Sequence, residues 1–390
     1  MKSGNLLILQ SGNPSVVGNA VLYGMLSEAL NYEAVEEIYG AYNGFEGVLQ
    51  ENWIDLASLS QRKAQLLLTT EGCALRSEVV SNFTEQDFEK IVKILSAKNI
   101  RYIGIIGDQR SLKLAEQLSI CAEKQAYELQ VMVVPQSNYN ELPMTDHSLG
   151  YGSYLKYLNA YLLSFDNFLQ NSNISVGICE IEGGNNGWLV AGAALNYTGK
   201  SVSDSELPYI VCLPELPFNE ENFLNVLREK MAKNDNICII THSQLVNEEG
   251  LALDLRGCAS AGNYLQELLQ RSMNLSAYLN ICDMGVQPLS HFISKTDSDE
   301  AIVCGRKVIN ALLDESESNK VAVLTRKDNV AEVSFLPLED MQTGTKFFPS
   351  DWINEKTMTI GYSLVKYAQP FINGELVVPY EKGLPQLVRL

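Results

Sequence analysis

Basic side chains are scarce. Against 47 Asp and Glu there are 29 Lys and Arg, a formal net charge of −18. A surface this acidic repels nucleic acid and anionic lipid, so neither is expected as a partner. It also handicaps any site meant to hold a phosphate, unless cations converge locally. Histidine is rarer still: the three present, His147, His242 and His291, do not cluster, and no zinc-ligand or Ser-His-Asp spacing appears. No apolar run reaches the ~18 residues of a membrane span, and the stretch Leu6 to Leu9 is too short for a signal-peptide core. The expectation is a cytoplasmic chain with no membrane partner. The eight cysteines include no C-x-x-C pair, which fits reduced, mostly buried thiols.

What the chain does have is an α/β rhythm. Its 390 residues are 46% hydrophobic, enough for two or three domains with their own cores, and its 27 glycines fall in short clusters after apolar runs. Strands are predicted at 6–10, 36–39, 102–106, 130–134, 175–181, 209–213, 237–241, 278–281 and 320–325. Amphipathic helices are predicted at 86–97, 112–123 and 220–232. Alternation of the two predicts parallel sheets covered by helices, with ligands gathering at the carboxyl ends of strands. Along 151–165, Tyr151, Tyr154, Tyr157 and Tyr161 share one helical face. That face is either packed within the chain or a subunit interface, where tyrosine is enriched.

The residues at those strand ends carry a family likeness. Pro135-Gln-Ser-Asn-Tyr-Asn-Glu-Leu-Pro-Met-Thr-Asp-His-Ser-Leu-Gly-Tyr-Gly-Ser153 resembles the P-K-T-x-D-N-D-L-P-x-T-D-H-T-P-G-F-G-S segment of pyrophosphate-dependent phosphofructokinases. Gln10-Ser-Gly-Asn-Pro-Ser-Val-Val-Gly-Asn-Ala20 is similar to that family's Q-S-G-G-P-T-A-V-I-N-A. Tyr39 to Gly47, Ser294 to Ala301, Tyr367 to Leu376 and Lys382 to Pro385 follow in the family's order. The resemblance covers nearly the whole chain. It implies the phosphofructokinase fold: two Rossmann-like α/β lobes with mainly parallel sheets. Residues 1–145 with 291–345 would form the phosphate-donor side, and 146–290 with 346–390 the sugar-phosphate side.

Departures from the family pattern fall on the chemistry. Where the resemblance implies a general-base carboxylate stands Tyr139, a phenol with an ordinary pKa near ~10. The second carboxylate becomes Glu141, and the lysine that would steady the transferring phosphoryl group becomes Gln136. The diphosphate and magnesium loop aligns with Gly107-Asp-Gln-Arg-Ser111: Asp108 breaks a glycine pair, Gln109 follows, and Arg110 replaces a metal-binding carboxylate. Gly12 survives in the first phosphate loop, but Asn13 replaces its second glycine, and Glu71 and Glu78 make the rim acidic. An ion pair of Arg110 with Asp108 or Glu141 is one expectation, and anion binding by Arg110 is another.

On the sugar-phosphate side the implied site residues are Ser137, Glu182, Gly183, Gly184, His242 and Pro288. Gly184 and Pro288 replace phosphate-binding arginines, and His242 replaces the glutamate that would hold the sugar hydroxyls. These departures lead to the expectation of a pseudoenzyme, a regulatory or structural subunit of a homo- or hetero-oligomer that could include an active paralogue. No cofactor is expected; an active chain would need Mg²⁺ with pyrophosphate. The rivals are an active pyrophosphate-dependent 6-phosphofructokinase in glycolysis and a sugar-phosphate or nucleotide sensor.

Overall fold

The structure, a computed structural model, describes residues 2–78, 82–198, 203–282, 290–314, 319–327, 330–340 and 344–390. The chain divides into two compact units: Met1–Ser153 with Gln287–Gly344 and Asn373–Leu390, and Tyr154–Val286 with Thr345–Ile372.

The first unit is built on one sheet. Its strands are β1 (Gly4–Ser11), β2 (Val35–Ala41), β3 (Trp53–Asp55), β4 (Ile100–Gly107), β5 (Gln130–Ser137), the short β6 (Leu149–Gly150), β11 (Lys320–Lys327) and β12 (Val330–Pro337). The order is β12-β11-β5-β4-β1-β2-β3, with β6 beside the end of β5. The interior pairs are parallel, and only the outer pairs β12–β11 and β2–β3 are antiparallel. β1, β4 and β5 are nearly continuous apolar runs because helices cover both faces of the sheet. Leu7, Leu9, Ile103, Ile105, Val131 and Val133 pack against Phe88 and Ile91 of the helix Glu85–Ala97, and against Ala115 and Leu118 of the helix Gln109–Lys124. A Thr84–Asp87 capping box starts the former helix.

On the opposite face the helix Gly18–Ala29 lies against the helix Lys295–Leu313 at backbone contact. A Cβ on Gly24 would sit 2.4 Å from the Ile302 carbonyl oxygen, and one on Gly305 would sit 2.4 Å from that of Val21. Glycine is therefore required at both crossing points.

The second unit holds a four-stranded, wholly parallel sheet in the order β10-β7-β9-β8. Its strands are β7 (Val176–Ile181), β8 (Tyr209–Cys212), β9 (Ile237–His242) and β10 (Tyr278–Cys282). The helices Glu220–Met231 and Ala261–Met273 cover it with Phe223, Leu227, Leu265 and Leu268. Ser260 caps the second of these, and Asn274, left-handed at φ 51, closes it. In the helix Tyr151–Gln170, Tyr151 and Tyr154 are buried, while Tyr157 and Tyr161 are half-buried in an aromatic row with Tyr154.

Each predicted strand and helix has an observed counterpart, and the fold is the mainly parallel α/β arrangement expected. The expected domain limits need correction. The boundary falls after Ser153, not 145, and 373–390 joins the first unit. Backbone bonds from Lys295 to Gly374 and from Thr296 to Asn373 tie the tail there, as does Val388 N–H on Thr70 Oγ1. All eight cysteines are free thiols.

Replacing Gly305 with Val should force the two crossing helices apart and cost about 2–3 kcal/mol. A urea midpoint that falls at unchanged m value would report it. Gly344→Ala, where no atom of the described residues lies within 4 Å of the new methyl, should leave the midpoint in place.

Candidate functional site

The carboxyl ends of β1, β4 and β5 lie side by side, since Ser11 is paired with Gly107, and Gly107 with Pro135. Each strand delivers a loop to the same edge. Asn13, Asp108, Gln109, Arg110, Gln136, Ser137, Tyr139 and Glu141 come together there around a cleft of about 110 Å³.

Asp108 accepts hydrogen bonds from two loops. It caps the helix Gln109–Lys124: Oδ1 accepts the backbone N–H of Arg110 (3.0 Å) and Ser111 (3.3 Å), and the Ser111 hydroxyl (3.3 Å). Its Oδ2 accepts the N–H of Asn13 (2.9 Å) from the loop after β1. Gly12, at φ +75, makes room for this carboxylate, which would lie 2.3 Å from a Cβ there.

Arg110 does not pair with Asp108 or Glu141 as expected. Its Nη2 donates to the backbone carbonyl of Glu78 (2.8 Å), which also accepts the Gly12 N–H (3.1 Å). The physical reason is competition: backbone donors already hold both oxygens of Asp108. Gln109 turns outward to the Gly344 carbonyl (3.2 Å).

Beneath the loop lies Glu78, whose carboxyl is buried and accepts the Ser11 hydroxyl at 2.5 Å. Burial pushes its pKa up from 4.5 to about 7, partly offset by Ser11 and Arg110. Ser137 donates its hydroxyl to Glu141 and accepts the N–H of Tyr139 at 3.0 Å. Ser137 thus belongs to the first unit's cleft, although the resemblance assigned it to the sugar-phosphate side. Gln136 is wholly buried, and neither atom of its amide has a hydrogen-bond partner among the described residues.

The second unit has its own strand-end cluster. His242 closes β9 opposite Ile181, the last residue of β7, and its ring lies against Gly183, where a Cβ would come within 2.8 Å. Nδ1 of His242 accepts the Gln244 N–H (2.9 Å), and burial holds the imidazole below its ordinary pKa. Gly184 adopts φ +71, and Glu182 is exposed. Pro288 lies outside the described residues. Of the other two histidines, His147 is buried between Asp146 (3.0 Å) and Glu300 (2.7 Å), and the exposed His291 ring lies tilted against that of Phe292.

With this geometry in view, comparison with known proteins is decisive about descent. The phosphofructokinase family model matches residues 5–309. The chain belongs to the phosphofructokinase family. A pyrophosphate–fructose 6-phosphate 1-phosphotransferase of Halomonas elongata is 26% identical over the whole chain and 97% of its own length. One from Xanthomonas campestris pv. campestris is 28% identical over the whole chain and again 97% of its own length. A crystal structure of a pyrophosphate-dependent phosphofructokinase from Nitrosospira multiformis matches with a TM-score of 0.89, at 24% identity, over 99% of this chain and 96% of that one. The phosphofructokinase fold is thus present along essentially the full chain.

A magnesium-bound diphosphate does not fit the cleft at the ends of β1, β4 and β5 in this family member. Mg²⁺ requires oxygen ligands in near-octahedral geometry. Here a guanidinium stands on the loop, and the carboxylate beside it is held by backbone N–H groups. Among the described residues no group of three or more His, Cys, Asp or Glu is placed to hold a metal ion. No described helix is long and apolar enough to cross a membrane.

The cap role of Asp108 went unread in the sequence, although an Asp between an apolar strand and a helical run is a standard N-cap signal. Glu78 was read as a repulsive rim charge, and its burial had no local signal.

Glu78 makes stability depend on pH. Between its ordinary value of 4.5 and about 7 the folded chain keeps a proton that the unfolded chain has released. Rising pH therefore removes stability through that window, and the loss is complete above it. From pH 5 to 8 the wild type should lose about 1–3 kcal/mol more than Glu78→Gln in urea titrations. Equal losses would show that this carboxyl ionises normally in the fold.

Proposed function

We propose that this chain is a phosphofructokinase-family pseudoenzyme, a regulatory or structural subunit that keeps the family scaffold and does not transfer phosphate. It is homologous to pyrophosphate-dependent 6-phosphofructokinases along its full length. The reading rests on one observation, the set of side chains around the end of β5. The phenol Tyr139 and the uncharged Gln136 line the cleft, where phosphoryl transfer asks for a base and a cation. The acid that remains on that segment, Glu141, takes a hydrogen bond from Ser137.

Losing one such group typically costs ~10²–10⁴ in rate, and groups that act as a unit fail together. The retained full-length fold supports a role in assembly, with copies of itself or with an active paralogue.

A coupled assay on the purified chain, with fructose 6-phosphate, pyrophosphate and Mg²⁺, should give no turnover above a protein-free blank. Clear turnover would return the chain to the active enzymes. Tyr139→Asp should remain silent in the same assay, because Gln136 and Arg110 still stand in the cleft. Affinity purification from the native cell should recover a second phosphofructokinase-family chain or a homo-oligomer. A monomer without partners would contradict the subunit role.

A further inference from the structure

We propose that Asp108 acts as the protein's own anion, filling the anion cradle at the carboxyl edge of the first unit's sheet and shutting out free phosphate and diphosphate. The inference concerns binding and does not depend on the missing base at position 139.

An ordinary helix cap serves its own first turn. The carboxylate of Asp108 does more. Oδ1 takes the N–H groups of Arg110 and Ser111 and the Ser111 hydroxyl, while Oδ2 reaches the Asn13 N–H, 95 residues away in sequence. Two separate chain segments thus aim donors at one negative charge, at the positive end of a 16-residue helix. The first loop is folded around that charge, since Gly12 brings its Cα where any side chain would collide with the Asp108 oxygens. This is the donor set that a bound phosphate oxygen would use, and here a side chain consumes it.

A second observation points to polar capacity left in the same cleft. Gln136 is wholly buried, lines the cleft, and leaves both amide atoms unpartnered among the described residues. The buried Nε of Arg110 is likewise unpartnered. Those groups would be available to an anion once the carboxylate is gone. While it is present, it competes from within the chain at an effective concentration of roughly millimolar or more, with no translational entropy to lose. Its charge also repels any second anion at close range.

Titration calorimetry with inorganic pyrophosphate, and separately with inorganic phosphate, tests the inference on three proteins. Wild type should give no binding heat at millimolar ligand. Asp108→Gly removes the tethered anion and should bind pyrophosphate at least about ten-fold more tightly than wild type, as a 1.4 kcal/mol difference would. Asp108→Asn keeps an oxygen for the helix cap but drops the charge, and should also gain affinity if the glycine variant fails to fold. Wild type binding pyrophosphate as tightly as the variants would overturn the proposal, as would folded variants that gain nothing.

Hydrogen exchange on wild type alone provides a readout that needs no variant. Amides of Asn13, Arg110 and Ser111 should exchange slowly without ligand and be unchanged by millimolar pyrophosphate, and ligand-dependent slowing would sink the idea. The catalytic reading fails separately, by turnover in the coupled assay. Pyrophosphate binding without turnover removes only this inference.

Discussion

Burial of β1, β4 and β5 on both faces decides where polar chemistry can sit in this chain. A parallel strand with helices above and below has little room for an unsatisfied polar side chain in its middle. The polar groups are therefore displaced to the strand ends, where three loops converge on one edge. The order of the sheet brings together segments that are a hundred residues apart, and the register Ser11–Gly107–Pro135 sets their loops level. Any change of residue at that edge alters one shared electrostatic environment.

Three carboxylates near that edge have three different fates. Asp108 is held by backbone N–H groups from two segments. Glu78 is buried under the first loop and resists ionisation. Glu141 is engaged by the Ser137 hydroxyl. Arg110, the cation among them, turns to a main-chain carbonyl. Each of these four groups has at least one local partner, while the buried Gln136 amide and the Nε of Arg110 have none among the described residues.

Much of the fold was legible because its signals are local. Continuous apolar runs between glycine clusters marked β1, β4, β5 and β7, and helical periodicity marked the helices over them. Strands β3 and β12 were not legible. β3 has three residues, and β12 alternates exposed Val330, Glu332 and Ser334 with half-buried neighbours, so it lacks an apolar run. The residues that the family likeness singles out, Gln136, Tyr139, Glu141, Asn13 and the 108–110 stretch, line one cleft. Their partners were not legible, because a main-chain carbonyl or N–H has no identity in a sequence. The expected pairing of Arg110 with an acid failed for that reason. The placement of 373–390 failed for a related one: its bonds to Thr70, Lys295 and Thr296 are long-range and mostly involve backbone.

The close crossing of the helices Gly18–Ala29 and Lys295–Leu313 has a consequence for how this chain leaves the ribosome. One partner is made almost three hundred residues before the other, and Gly24 and Gly305 let them meet at backbone distance. At ~5–20 residues per second the earlier helix waits on the order of tens of seconds for its cover. In that interval Val21, Leu22 and Met25, buried in the finished protein, have no late-made partner helix against them. Topology thus makes the first unit, begun before the second, finish only after it.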